Sequence, residues 1–448
     1  MDNNNKIFLK LKNGIKLFVF PLKTKLTNIS INILLGENQE KKNEIELTHY
    51  LEHIVASFTS IKYKNSDVIK KELNKRGAIS NAYVTQYETK FFIEGLYEDF
   101  EYYIDLLSNT LNNFYIDKNI IEVEKNAVIQ ELNNYIADSE YIFYMKIWRY
   151  MYFNYAYQYD HKKHIEFIKK YNTNKLYDYF RKHILLKNIV ISVTCPLYKK
   201  DITIQLLKKA FNFNNINKKY SLTYPVYHYV TNNLKIIYIN NKQNNNNNTL
   251  LKIIVDKNIS RYSPKHLSLI YLNYILFNFE TGIFYEKLRR QLGLIYNINF
   301  NIIIDDYNYK SSSYYIQSNI ITDKIPDLIL NIIKIVENIK ISDNDIYNAR
   351  KKILINNEYD KFYGLNTHST YYGKFVLYNK PIIEKSKLFK LYKQITNKQI
   401  YDELLKFKKD ILHNSLFFYY SNINMNKSIK NIIHKNKISY KIKYINLN

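Results

Sequence analysis

The segment THYLEHIVASF places His49, Glu52 and His53 within five residues. On a helix, positions four apart fall about one turn apart, so both imidazoles can project from one face toward one ion. Glu52, adjacent to the second histidine, is near enough to take a proton from a metal-activated water. A hydrolytic zinc site needs a third protein ligand and keeps a fourth position open for water. The segment EVEKNAVIQEL offers Glu124 and Glu131, seven residues and so two helical turns apart, on the same face. Ala127 and Val128 between them indicate a helix packed closely on a neighbour. The bland alternatives are helix histidines satisfied by ordinary hydrogen bonds and acidic residues on the wet side of an amphipathic helix.

Such residues need a scaffold, and hydropathy patterning supplies one. Ile7–Leu11 and Ile15–Phe20 alternate as strands around Asn13-Gly14, and Ile29–Leu35 reads as a third. A helix from about Glu44 to Phe58 carries the two histidines. A second, Asp67–Lys75, ends at Arg76-Gly77, where glycine takes a left-handed cap. Ile79–Val84 and Lys90–Gly95 read as a strand pair. Helices follow at Phe100–Asn113, Lys118–Ile136, Glu140–Met151 and Thr173–Phe180, and the strand Asn188–Val193 closes the unit. Residues 211–222 are polar and read as a linker. Beyond them the order restarts: strands at Leu234–Ile239 and Leu250–Val255 around an Asn-rich loop, then a long helix from Pro264. Next come a helix at Phe284–Gln291, strands at Ile295–Ile304 and Tyr314–Ser318, further helices, and an apolar strand at Ser415–Tyr420. Two halves with the same coarse order and no residue-level repeat suggest an old duplication. The expected domains are 1–212, a linker at 213–222, and 223–448.

Composition bounds the function. At 448 residues, 46% apolar and 24% charged, the chain can bury two substantial cores. The formal charge of +26 comes from lysines spread along the whole chain, which reads as a solvated, Lys-rich surface and not as a nucleic-acid stripe. A single cysteine, Cys195, excludes an internal disulfide. No run approaches the ~20 apolar residues of a membrane span. The N-terminus has no signal-peptide core or transit-peptide character, so a soluble cytoplasmic protein is expected. An AT-rich bacterium, endosymbiont, protist or large DNA virus would all write such a composition.

The pattern resembles the M16 family of metallopeptidases, the group of pitrilysin, insulin-degrading enzyme and mitochondrial processing peptidase. Beside the inverted HxxEH of residues 49–53, Glu131 lies 78 residues beyond His53, the separation that family's pattern leads one to expect. The resemblance implies one Zn2+ per chain held by His49, His53 and Glu131, with Glu52 as general base and Glu124 as a supporting group that orients a histidine. RGAISNAYVTQYETKFFIEGL resembles the family's edge-strand segment, which implies that Asn81, Ala82, Tyr83 and Val84 bind substrate by main-chain pairing. FYEKLRRQLGLIYNINF resembles the family's Arg/Tyr signature, implying that Arg289 and Tyr296 bind substrate and stabilise the oxyanion. The implied fold is α+β, LuxS/MPP-like. It has two similar domains, each an antiparallel-rich sheet with helices packed on one face, in a clam-shell arrangement. A chain of this length resembles the half-sized members, which implies a homodimer or a heterodimer with another M16-like chain. In two places the sequence departs from the family: Phe58-Thr59 stands where Gly-Thr is usual, and Phe279-Glu280-Thr281-Gly282 replaces a glycine- and serine-rich turn.

The expected function is zinc endopeptidase action on unstructured peptides. One rival is an inactive M16-like scaffold or partner subunit, although such chains lose ligands that are all present here. Another is a basic nucleic-acid binder with incidental zinc, which rests on charge alone. His161 and His164 in HKKH share a helical face but lie away from every matched motif, and read as exposed helix-start residues.

Overall fold

A computed structural model describes residues 6–151, 161–213, 233–241, 247–304, 312–359 and 365–447. The expected linker at 213–222 lies, apart from Phe213, outside the described residues, as does most of the Asn-rich loop.

In the first part of the chain the strands are β1 (Ile7–Lys10), β2 (Lys16–Leu22), β3 (Leu26–Ile33), β4 (Ile79–Val84), β5 (Thr89–Leu96) and β6 (Ile189–Pro196). The helices are α1 (Leu47–Val55), α2 (Ser66–Lys75), α3 (Phe100–Asn112), α4 (Lys118–Ala137), α5 (Ser139–Met151), α6 (His161–Lys170), α7 (Thr173–His183) and α8 (Lys200–Ala210). In the second part the strands are β7 (Leu234–Asn240), β8 (Asn248–Lys257), β9 (Ile298–Ile304), β10 (Ser312–Ile321), β11 (Leu416–Ser421) and β12 (Ile442–Leu447). Its helices are α9 (Pro264–Leu276), the single turn α10 (Ile283–Tyr285), α11 (Ile325–Asn338), α12 (Asp343–Tyr359), α13 (Leu365–Leu377), α14 (Lys385–Gln394), α15 (Asn397–His413) and α16 (Asn426–Lys435).

Each part forms a six-stranded mixed sheet. Their orders are β1-β2-β6-β3-β5-β4 and β12-β7-β11-β8-β10-β9. Five of the six positions correspond in direction: β2 and β7 run parallel to β6 and β11, and every later neighbour is antiparallel. They differ at one edge, where β1 is antiparallel to β2 but β12 is parallel to β7. Alternating apolar residues on each sheet's inner face (Leu17, Val19, Ile29, Ile31, Ile191 and Val193 in the first) pack under the helices as one apolar core per sheet. The α+β architecture of two similar domains is therefore as expected.

The compact units do not follow the chain order strictly. Among the described residues, one unit holds 6–137, 161–213 and 365–382, and the other holds 138–151, 233–241, 247–304, 312–359 and 383–447. Each unit thus takes one helix from the other half of the chain, and that helix covers the sheet's second face. In the first unit, α13 lies on polar strand residues. Ser369 Oγ donates to Asn28 Oδ1 (2.8 Å), Tyr378 Oη donates to Glu88 Oε2 (2.9 Å), and Tyr372 stacks on Phe18. Gly373 permits this approach, since a Cβ there would stand 2.6 Å from Ser192 Oγ. In the second unit, Phe143 of α5 stacks on Tyr420 at 5.5 Å, Tyr150 meets Phe418 edge-on, and the Tyr144 hydroxyl donates to Gln317 (2.6 Å).

Left-handed backbone marks the two departures from the family's glycines. Phe58 (φ 55°) and Glu280 (φ 67°) adopt the conformation that glycine enters without steric cost. Phe58 offsets this by burying its ring in the first core, whereas Glu280 is exposed. Gly77 (φ 63°) ends α2 with the left-handed cap read from the sequence.

Candidate functional site: a histidine and carboxylate cluster on two packed helices

Helix α1 buries Leu47, Tyr50, Leu51, Ile54 and Val55, which leaves His49 and His53 together on its half-buried opposite side. Its N-terminus is fixed from outside: the Glu40 carboxylate accepts from the backbone N–H of Glu46 (2.9 Å) and Thr48 (2.7 Å). Helix α4 presses the fully buried Val128 inward, and Ile121 O accepts from the Tyr50 hydroxyl at 2.7 Å. That packing brings Glu124 and Glu131 over the two histidines.

The imidazoles are held at one nitrogen and converge with the other. His49 Nδ1 lies 3.1 Å from Glu46 Oε2, and His53 Nδ1 lies 3.1 Å from Glu124 Oε2. Carboxylates only accept, so both Nδ1 atoms are donors and the lone pairs sit on Nε2. His49 Nε2 stands 3.3 Å from Glu131 Oε2, and His53 Nε2 stands 3.7 Å from Glu131 Oε1. An oxygen of Glu52 is within 4.8 Å of nitrogens of both rings. Lone pairs of two imidazoles and one carboxylate thus point at a common place, which is stable only around positive charge. A proton is one solution: burial lowers the His49 pKa, but hydrogen bonds to Glu131 and Glu46 outweigh it and push it up to about 10. A divalent cation is the other. Two Nε2 atoms and a carboxylate, each imidazole backed by a carboxylate at Nδ1, are the donor chemistry that suits zinc. The residues present therefore fit the ion.

Burial raises the Glu52 carboxyl above the ordinary range, with Glu131 and Glu124 adding to the effect and the two histidines opposing it. Glu52 is only 8% exposed and stands beside the donors.

Among the described residues, strand β4 ends the first sheet and pairs only with β5, so Asn81, Ala82, Tyr83 and Val84 lie on its edge strand. It runs beside α1. The Ala82 N–H is met by Asn81 Oδ1 at 2.8 Å. In the second unit, α10 continues into a π-helical turn, Glu286–Gln291, closed by Gly293 (φ 59°) and by the Leu294 N–H donating to Leu288 O at 2.9 Å. A π turn rotates the side chains that follow it, a device common at functional sites. Arg289 lies 4.8 Å from the Tyr296 ring centroid and donates to Ile295 O (3.1 Å), while Tyr296 is 73% exposed. The structure thus makes a pair of these two residues.

With this geometry in place, residues 22–161 match the insulinase family, peptidase family M16, and residues 170–353 match the peptidase M16 inactive domain. The chain belongs to peptidase family M16. Among related proteins, bovine cytochrome b-c1 complex subunit 1 is 25% identical over 123 residues, covering 28% of this chain and 25% of that protein. The mitochondrial-processing peptidase subunit beta of Dictyostelium discoideum is 24% identical over 130 residues, 29% of this chain and 27% of the relative. Protease 3 of Escherichia coli K12 is 27% identical over 132 residues, 29% of this chain and 14% of the relative. The aligned segment thus spans about a quarter of the first two relatives' length and less of the third. Among solved structures, a protease from Helicobacter pylori superposes with a TM-score of 0.76 at 14% identity, over 93% of this chain and 99% of that one. The periplasmic protease PqqL from Escherichia coli gives 0.76 at 15%, over 99% of this chain and 51% of that one. Identities this low establish the fold.

Three residues beside the histidine cluster were not assigned to it from the sequence: Glu46, His161 and His164. Glu46 has a left-handed backbone (φ 67°) that turns its carboxylate between His49 and His164, whose Nδ1 it meets at 2.6 Å. His161 and His164, read as exposed, are 8% and 7% exposed on α6, which packs on α4. The i, i+3 spacing of HKKH was the available signal. Lysines occupy both positions between the histidines and hid the buried face. Among the described residues no helix is long and apolar enough to cross a membrane.

Proposed function

We propose that the chain is a zinc metalloendopeptidase acting on unstructured peptides, with His49, His53 and Glu131 as ligands to one Zn2+. The observation that carries this reading is the convergence of both Nε2 atoms on Glu131 while carboxylates hold both Nδ1 atoms. When bound, zinc supplies Lewis acidity that polarises the scissile carbonyl and acidifies water. Glu52, its proton affinity raised by burial, takes a proton from the attacking water and passes it to the departing amine nitrogen. Glu46 and Glu124 keep the Nδ1 protons and so hold both Nε2 lone pairs in register. Asn81–Val84 receive the peptide as an added strand, its main chain displacing the Asn81 side chain from the Ala82 N–H. Such pairing reads backbone, which suits substrates of varied sequence. Arg289 and Tyr296 act as a substrate-binding pair.

A second reading has the chain serve as a non-catalytic subunit of a heteromeric peptidase. It is supported by the match of residues 170–353 to an inactive domain and by relatives named as subunits of larger assemblies. Cleavage of a mixture of unstructured peptides, followed by mass spectrometry for wild type and Glu52→Gln, separates the two. Cutting by wild type alone, stopped by a chelator, supports the peptidase. If neither protein cuts while both hold zinc, the subunit reading replaces it.

A further inference from the structure

Among the described residues, two groups of three His, Asp, Glu or Cys side chains bring one donor atom each to within 4.8 Å of one another. The first is His49, Glu52 and His53. The second is Glu46, His161 and His164, which the proposed catalysis uses only through the hold of Glu46 on His49.

The second group has the features of a built site. Both histidines are more than nine-tenths buried, and Glu46 is nearly so. His164 Nδ1 lies 2.6 Å from Glu46 Oε1, a contact in which a cation can replace the shared proton, and the Nε2 of the same ring is buried with no hydrogen-bond partner among the described residues. The rings of His161 and His164 stand edge to face at 5.0 Å, and Tyr135 packs on His161 at 5.7 Å. Glu46 has left-handed backbone (φ 67°), and its carboxylate stands between His49 and His164.

We infer that Glu46, His161 and His164 form a second divalent-metal site, adjacent to the first and joined to it through the Glu46 carboxylate. Two imidazoles and a carboxylate select a borderline ion of the Zn2+ class over Mg2+ or Ca2+, which favour all-oxygen sites. The sequence reading of one zinc per chain then understates the capacity. Because one oxygen of Glu46 touches His49 and the other touches His164, an ion at either site changes the charge felt at the other. This inference holds whether or not the chain cleaves peptides.

The test is zinc stoichiometry, measured by titrating the metal-stripped full chain with Zn2+ against a chromophoric chelator. Wild type is expected to take two equivalents, and His161→Gln, His164→Gln and His49→Gln one each. His49→Gln with His161→Gln is expected to take none. Wild type taking a single equivalent overturns the inference, and so does a second equivalent that survives both His161→Gln and His164→Gln. Circular dichroism of each variant identifies any that misfold, and the wild-type count decides the question without them. A further readout is thermal: Zn2+ should raise the Tm of His49→Gln, and adding His161→Gln should abolish that rise.

Discussion

The Tyr50 hydroxyl donates to the Ile121 carbonyl oxygen at 2.7 Å, and this bond spans the two helices that carry the cluster. Tyr50 is fully buried between His49 and Leu51, so its ring packs in the core while its hydroxyl reaches α4. The bond fixes one distance between the HxxEH helix and the helix bearing Glu124 and Glu131.

Tyr50→Phe keeps the ring and removes the bond. The expected loss is about 1 kcal/mol of stability, the net worth of one buried hydrogen bond. Zinc affinity should fall several-fold, because α4 gains freedom to slide and Glu131 is the only proposed ligand it supplies. Chemical denaturation and competition with a chelator measure the two effects. Unchanged affinity in a destabilised variant would show that the core packing around Val128, and not this bond, sets the helix spacing.

Glu124→Gln tests the hold on His53. The amide can still accept from Nδ1, but it carries no charge to raise the basicity of Nε2. Losing such a carboxylate partner commonly costs about 10–100-fold in metal affinity. The first Zn2+ equivalent should remain, bound more weakly. If affinity is unchanged, Glu124 is part of the helix surface and nothing more.

The chemistry of the site was largely legible because it is local. His49, Glu52 and His53 are spaced by one helical turn, and Glu124 and Glu131 by two, so periodicity groups each set, while the link between the two sets came from the resemblance to the M16 spacing. Glu46 and His164 were not legible, since they come from segments 118 residues apart and meet through a left-handed turn that no composition rule announces. Eleven strands of the two sheets were found from hydropathy patterning, whereas β12 (Ile442–Leu447) was not. What alternation could not reveal is the second covered face: Asn28, Ser30, Asn32 and Ser192 read as a solvent side, yet α13 lies on them through Ser369, Tyr372 and Gly373. A polar face covered by a helix with hydroxyls looks, in sequence, like an exposed one.

Gly373→Ala probes that contact. The new methyl would stand 2.6 Å from Ser192 Oγ, so the hydroxyl, the helix or the sheet must give way, at about 1–3 kcal/mol. Ser192→Ala removes the oxygen and leaves a Cβ at an ordinary 3.5 Å. The double variant should therefore recover part of the loss, a positive coupling in a double-mutant cycle followed by thermal unfolding. Additive losses would place the strain elsewhere.

Glu280→Gly should stabilise the second unit. Glu280 is exposed at φ 67°, a conformation that costs a residue bearing a Cβ about 1 kcal/mol relative to glycine. Glycine also adds freedom to the unfolded chain, which returns part of the gain. A small rise in Tm, on the order of 1–3 °C, is expected. A fall in Tm would mean that the Glu280 side chain makes a contact worth more than the backbone strain.

Lys252 supplies the pH dependence. It lies on β8 beneath α5, 4% exposed, with its ammonium 3.8 Å and 3.6 Å from the ring centroids of Tyr144 and Tyr315. Burial pulls its pKa down to about 7, and Glu140 opposes that shift. In the unfolded chain a lysine titrates near ~10.4, so between these values the unfolded state binds more protons. Stability should therefore climb as pH rises from about 7 toward about 10, while below 7 the whole cost of burying the ammonium is present. Lys252→Met keeps the stem and offers sulfur to both rings without the charge. It should stabilise the protein by on the order of 2 kcal/mol at pH near 6, with the gain shrinking steadily toward pH near 10. Urea unfolding of both proteins at several pH values across that range measures it. A gain that is constant with pH would show that packing of the methionine, and not relief of a buried charge, is responsible.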